Sequence, residues 1–232
     1  MSGAGAIACI GGGGFLVDDV RGVQERHLLT LIRDRGGQRP RVLFLGLAHG
    51  DAESRQLKAY KMFSKLGCDI DALPFFPYEM KRDYVAEAMN ADLIYVGGGN
   101  TPAMVAVWRE FGFDRALHEA WQAGTVLSGI SAGANCWFEH YVTDSVPGGG
   151  VRAGLAWLPG TFCPHLDSEA WRQPVLAGVP NAPAYGVREG GMMIVRPGAA
   201  PEFVADKPGV TANVRLPGEE AREVPAFDLS SR

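Results

Sequence analysis

Gly129-Ile130-Ser131-Ala132-Gly133, followed by Ala134-Asn135, is the stretch of this sequence best suited to chemistry. It has the G-x-S-x-G form in which a serine sits on a sharp turn between a strand and a helix. A side chain at either flanking position would collide with neighbouring backbone, so the glycines permit a turn that forces the hydroxyl outward in a strained conformation. The N-terminus of the following helix favours negative charge developing nearby. The chemistry implied is nucleophilic acyl transfer. The plainer reading is a small-residue turn that lets strand and helix pack. It loses ground because an apolar strand precedes Ser131 and a helical pattern follows it.

A serine nucleophile needs a base, usually histidine. Five histidines are present. His27 and His118 fall inside amphipathic helices, and His140 is expected at the far end of the helix after Ser131. His49 ends a strand on the same rim. His165, in Phe162-Cys163-Pro164-His165-Leu166-Asp167, follows an apolar run and sits in a loop. Placement favours His165 over His49. The carboxylate that orients the imidazole is Asp144, Asp167, Glu169 or Glu189, and spacing alone does not choose among them. The oxyanion hole requires two backbone N–H groups. Ala132 supplies one, and Gly98 or Gly99 in the run Gly97-Gly98-Gly99-Asn100 supplies the other.

The elements that must position these residues alternate strand and helix. Ile7–Ile10 reads as a strand entering Gly11–Gly14, and a helical pattern follows through Val23, Leu28, Leu31 and Ile32. Val42–Leu47 is the next strand. Asp51 is expected as the N-cap of a helix that closes at Gly67. Ile70–Phe76 is a third strand and Leu93–Val96 a fourth. Pro102 opens a helix that runs to Phe111, and another covers Phe113–Gln122. Thr125–Ile130 is the strand before Ser131. After about Gly148 short strands and Pro/Gly turns are expected to extend the same sheet, in part antiparallel.

Apolar strands alternating with helices imply an α/β three-layer sandwich with a mostly parallel central sheet, formed by a single domain over residues 1–232. Ligands in such sheets sit at the carboxyl ends of the strands. The Gly11–Gly14 run lacks the third glycine of a dinucleotide loop, since position 16 is Leu16. Asp18-Asp19 would repel a phosphate, and no G-K-[ST] follows. The run reads as a wall of the pocket.

The bulk composition narrows the class. The chain has 232 residues, a formal net charge of -4 and scattered basic residues, which argues against a nucleic-acid partner. No basic leader precedes an apolar segment at the N-terminus, and no apolar run is long enough to span a bilayer. Cys9, Cys68, Cys136 and Cys163 lie far apart without zinc spacing, so a cytoplasmic protein with reduced thiols is expected, with no metal or organic cofactor. A homodimer is compatible with the sequence.

The motifs Gly97-Gly98-Gly99-Asn100-Thr101, Gly129–Asn135, Pro164-His165 and Glu189-Gly190, in that order, resemble the peptidase E family, the S51 serine peptidases also called aspartyl dipeptidases. The resemblance covers most of the chain. It implies a class I glutamine-amidotransferase-like (flavodoxin-like) fold and a triad of Ser131, His165 and Glu189, with Asp144 as a secondary acidic position. The implied substrates are small peptides, in particular dipeptides with an N-terminal aspartate. Arg172 would pair with a substrate carboxylate, with Asn100 and His49 beside the substrate. The acid segment reads Val187-Arg188-Glu189-Gly190-Gly191 where the best-known members have Leu-Pro-Glu-Gly. The related cyanophycinase branch, another amidase or esterase, and a non-catalytic small-molecule sensor on the same scaffold are the competing readings.

Overall fold

The computed structural model describes residues 3–16, 21–33, 36–76, 81–180 and 183–230. Asp18 and Asp19 lie outside the described residues. Strands β1 (Ile7–Ile10), β2 (Arg41–Leu45), β3 (Asp69–Ala72), β4 (Leu93–Val96) and β5 (Val126–Ile130) are connected by helices α1 (Val23–Leu29), α2 (Glu53–Lys65), α3 (Tyr84–Asn90), α4 (Thr101–Phe111) and α5 (Phe113–Ala123). The five strands run parallel in the order β1-β5-β4-β2-β3. Side chains of β1 alternate between faces, as a strand requires. Ala8 and Ile10 join Phe44, Tyr95, Val23, Leu28 and Phe63 under α1 and α2. Ile7 and Cys9 join Leu43, Val96, Trp108 and Phe113 under the helices of the opposite face. Helices therefore cover both faces of this sheet, which is why its strands read as continuous apolar runs.

The elbow helix α6 (Ala132–Asn135) is a single turn. From there the chain builds a second sheet with β6 (Phe138–Thr143), β7 (Gly150–Ala153), β8 (Leu158–Cys163), helix α7 (Arg172–Ala177) and β9 (Ala184–Val187). It returns to the first sheet with β10 (Gly191–Val195) and β11 (Glu202–Ala205), adds β12 (Thr211–Arg215) and β13 (Arg222–Pro225) to the second, and ends with β14 (Phe227–Asp228) in the first. The first sheet thus has eight strands, β14-β11-β10-β1-β5-β4-β2-β3, and stays mostly parallel. The second has six, β13-β12-β9-β8-β6-β7. Its inner residues Phe138, Leu158, Phe162, Tyr185 and Val187 share a core with the first sheet, and Trp137 stacks on Trp157 with centroids 5.2 Å apart behind the elbow.

Several expected boundaries move for physical reasons. The C-terminal strands only partly extend the first sheet. A second sheet begins at Phe138, ahead of the Gly148 expected from turn composition. His140 consequently lies on β6 and not at the end of a helix. Asp51 is not the N-cap of α2, whose cap is Ala52 without a side-chain bond. The Asp51 carboxylate instead accepts the N–H groups of Phe75 and Phe76, and the third strand ends at Ala72, four residues short of Phe76. Among the described residues no helix is long and apolar enough to cross a membrane.

Burial raises the Asp51 carboxyl above its ordinary pKa, against the opposing pull of the two N–H donors. The native state then holds that proton more tightly than the unfolded chain, so this group's contribution to stability falls as pH rises from the unfolded value through the native one. Asp51→Asn removes the titration. Its urea midpoint, relative to wild type, should climb between acid and neutral pH, and an offset that is the same at both would refute this assignment.

Candidate functional site

The carboxyl ends of four adjacent parallel strands form one rim. Ile10 pairs with Ile130, Gly129 with Val96, and Val96 with Leu45, so the loops after β1, β5, β4 and β2 leave the sheet at the same level. Ser131 follows β5 directly and donates its N–H to the Ile10 carbonyl at 3.0 Å. Its backbone is at φ 55, ψ -110, a region costly for any residue with a side chain. Both flanking glycines are dictated by contact. A Cβ on Gly129 would lie 2.2 Å from the Gly133 carbonyl oxygen, and one on Gly133 would lie 2.3 Å from the Val96 carbonyl oxygen. The Ser131 carbonyl accepts from Ala134 and Asn135 N–H at 3.0 and 2.9 Å, which closes the turn.

His165 and Glu189 come from the second sheet, just past the ends of the neighbouring strands β8 and β9. His165 is also at positive φ, 52°, and donates its N–H to the Gly11 carbonyl at 3.1 Å. Of the four non-glycine residues with positive φ among the described residues, two are Ser131 and His165, a concentration expected where strain serves function. The imidazole Nδ1 touches Glu189 Oε1. Glu189 lies in the turn between β9 and β10, where Gly190 N–H reaches the Gly12 carbonyl at 3.1 Å. Both side chains are partly exposed, His165 at 25% and Glu189 at 36%, so solvent reaches the pair.

Of the carboxylates left open by spacing, Glu189 is the one in contact with His165. Asp167 Oδ1 accepts the Glu189 N–H at 3.0 Å. Asp144 and Glu169 flank Arg172, with Nη2–Oδ2 at 2.7 Å and Nε–Oε2 at 3.1 Å. Arg172 is therefore neither a solvated helix arginine nor a free cation. It is buried at 4% exposure, held by two carboxylates and set 4.6 Å over the Trp171 ring. Its Nε and Nη2 are committed to these two carboxylates.

The Gly97–Asn100 loop lies against Ser131. A Cβ on Gly98 would come within 3.2 Å of Ser131 Cβ. The N–H groups of Gly98, Gly99 and Ala132 have no acceptor among the described residues, whereas Gly97 N–H bonds the Leu45 carbonyl at 2.9 Å and Asn100 N–H the Ala48 carbonyl at 2.8 Å. Asn100 caps α4, its Oδ1 accepting from Ala103 N–H at 2.9 Å, and its Nδ2 reaches the Ser145 carbonyl at 3.3 Å. His49 ends a turn of 3-10 helix on this rim. Desolvation and the Arg55 guanidinium lower its pKa, opposed by a hydrogen bond to the Gly98 backbone that favours the protonated ring. No hydrogen bond joins Ser131 Oγ to His165 among the described residues. Such bonds are often long before substrate arrives.

Sequence reasoning missed the role of Gly12. A Cβ there would sit 2.2 to 2.5 Å from the three atoms of the Glu189 carboxylate. It also missed Gln24, buried on α1, whose Nε2 donates to the Gly190 carbonyl at 3.0 Å. Four consecutive glycines after a strand signalled close backbone approach but gave no hint of what approaches.

The comparisons agree with this architecture. The family model for Peptidase family S51 matches residues 10–201. The chain belongs to that family and is a serine-type peptidase. An uncharacterized peptidase, YgaJ, of Bacillus subtilis (strain 168) is 40% identical over 168 residues, covering 72% of this chain and 71% of that protein. A crystal structure of a peptidase from an acI-B1 actinobacterium superposes with a TM-score of 0.74 at 21% identity, over 96% of this chain and 95% of that one. A putative peptidase E protein from Listeria monocytogenes EGD-e gives 0.64 at 18% identity, over 87% and 98%. At such identities the two structures speak to the fold.

Gly12→Ala isolates the Glu189 contact, because only the mobile end of a side chain stands in the way of the added methyl. Unfolding free energy should drop by about 1–2 kcal/mol. The downfield NMR signal of the hydrogen-bonded His165 Nδ1 proton should disappear. Retention of that signal would show that the carboxylate does not depend on the glycine.

Proposed function

We propose that this peptidase hydrolyses short peptides, foremost dipeptides with N-terminal aspartate, through Ser131, His165 and Glu189. His165 Nε2 takes the hydroxyl proton as Ser131 Oγ attacks the scissile carbonyl. Glu189, on Nδ1, fixes the tautomer that leaves Nε2 free to accept and stabilises the imidazolium that forms. The negative oxygen of the tetrahedral intermediate is met by the N–H of Ala132 and of Gly98 or Gly99. Its collapse releases the amine, protonated by His165, and leaves an acyl-enzyme that water hydrolyses by the same route.

The observation that carries this reading is the His165–Glu189 contact, made by two segments whose backbones are bonded to Gly11 and Gly12 beside the residue that holds Ser131. The N–H groups of Gly98 and Ala132, unpaired among the described residues and both buried beside Ser131, support the oxyanion assignment, since buried N–H groups ordinarily find acceptors. The aspartate preference rests on family membership. A carboxylate-binding role for Arg172 is left out of the proposal because two carboxylates already hold it. Four free buried thiols support a reducing compartment such as the cytoplasm.

The purified chain should turn over Asp-Leu faster than β-Asp-Arg or p-nitrophenyl acetate, and a fluorophosphonate should label Ser131. Ser131→Ala should bring turnover and labelling to background, a loss on the order of 10⁴-fold or more. His165→Ala should match it, and Glu189→Gln should fall short of it. Undiminished Asp-Leu hydrolysis by Ser131→Ala would end the proposal. A preference for β-Asp-Arg would instead move the substrate to the cyanophycinase type.

A further inference from the structure

His165 and Glu189 stand on two tight turns. His165 begins the first, closed by the Ser168 N–H on the His165 carbonyl at 3.0 Å, so Leu166 and Asp167 are its central residues. Arg188 begins the second, closed by the Gly191 N–H on the Arg188 carbonyl at 3.0 Å. Glu189 and Gly190 are its centre, with Gly190 at φ +80, where such a turn favours glycine. A turn of this kind uses only its first carbonyl and its last N–H. The N–H of its second residue, Glu189, must find an acceptor elsewhere.

The first turn supplies one. Asp167 Oδ1 accepts the Glu189 N–H at 3.0 Å, and one residue earlier the Leu166 N–H donates to the Val187 carbonyl at 3.2 Å. The two turns are thus joined by two rungs, one of backbone and one through a side chain. Each peptide plane flanking the Glu189 Cα then has its own partner. Gly12 holds the plane that follows, through the Gly190 N–H at 3.1 Å, and Asp167 holds the plane that precedes. The Gly12 carbonyl would be present whatever residue stood there. The other partner exists only because position 167 carries a side-chain acceptor.

We propose that Asp167 is a positioning residue that rivets the acid turn to the base turn and so keeps the Glu189 carboxylate on His165 Nδ1. It works as a hydrogen-bond acceptor, and its charge is not required. Asp167 acts on the reaction through Glu189 and not on the substrate. The proposal rests on His165 and Glu189 serving Ser131 as base and orienting acid.

Asp167→Ala and Asp167→Leu remove the acceptor, and Asp167→Asn keeps an oxygen in its place without the charge. On a dipeptide that the wild type cleaves, kcat of the Ala and Leu variants should fall about fivefold, the size of one hydrogen bond on the rate scale. KM should stay within about twofold, since no substrate contact is lost. Asp167→Asn should keep both constants within about twofold of wild type. The downfield NMR signal of the His165 Nδ1 proton should vanish in the Ala and Leu variants and persist in Asn. In a Glu189→Ala background Asp167→Ala should cost nothing further, because the side chain it positions is gone. Full kcat in the Ala and Leu variants, or losses that multiply in the double variant, would overturn the proposal. An Asn variant as slow as Ala would do the same, by making the charge the active feature. A large loss in Glu189→Ala beside an unaffected Asp167→Ala defeats the rivet and leaves the triad standing. An undiminished Glu189→Ala defeats the triad and the rivet with it. Should Asp167→Ala fail to fold by urea titration, the Leu variant decides on the same readouts.

Discussion

At the carboxyl end of β1 the backbone offers three successive carbonyls, those of Ile10, Gly11 and Gly12, and each accepts an N–H from a different part of the site. Ile10 holds Ser131, Gly11 holds His165 and Gly12 holds Gly190, the residue after Glu189. The three partners are separated by 25 to 59 residues in sequence, yet their anchor points are consecutive peptides at the end of one strand. The end of β1 therefore acts as a ruler. It also explains the glycines. A Cβ at Gly11 would strike the Arg188 carbonyl oxygen at 2.5 Å, and one at Gly12 would strike the Glu189 carboxylate.

Strain and anchoring are of comparable size at these positions. Each positive-φ residue costs on the order of 1–3 kcal/mol. Ser131 makes one backbone bond through its N–H and two through its carbonyl; His165 makes one through its N–H and two through its carbonyl, to Ser168 N–H and Oγ at 3.0 and 2.8 Å. At about 0.5–1.5 kcal/mol net for each bond, three bonds offset the strain without a large surplus. The rest of the restraint comes from packing. Ala132, Gly133 and Ala134 are buried in the narrow space between the sheets, and Trp137 closes it from behind.

The parallel half of the fold was legible because its strands are buried on both faces and separated by glycine-closed helices. α4 and α5 fall within a residue of the Pro102–Phe111 and Phe113–Gln122 bounds expected from the sequence. The second sheet was not legible. Its strands are short, β6 and β7 are partly exposed, and nothing in a period-2 pattern says which of two sheets a strand joins. That ambiguity misplaced His140 and left the acid unchosen, since the answer depends on β8 and β9 being neighbours. Asp51 misled because a carboxylate beside a helix start has other donors to choose from, here the N–H groups of Phe75 and Phe76.

The carboxylates that do not touch His165 are not idle, and their placement accounts for how one side chain came to stand alone beside the ring. Asp167, two residues beyond His165, is directed by the turn away from the imidazole and onto the Glu189 N–H, so the residue nearest in sequence supports the one nearest in space. Asp144 and Glu169 are drawn off by the buried guanidinium of Arg172. With Asp144 and Glu169 paired to Arg172, Glu189 is the carboxylate left in contact with the ring, while Arg188 reaches past the turn to Thr211 and Glu223 and ties the acid's own segment to the second sheet.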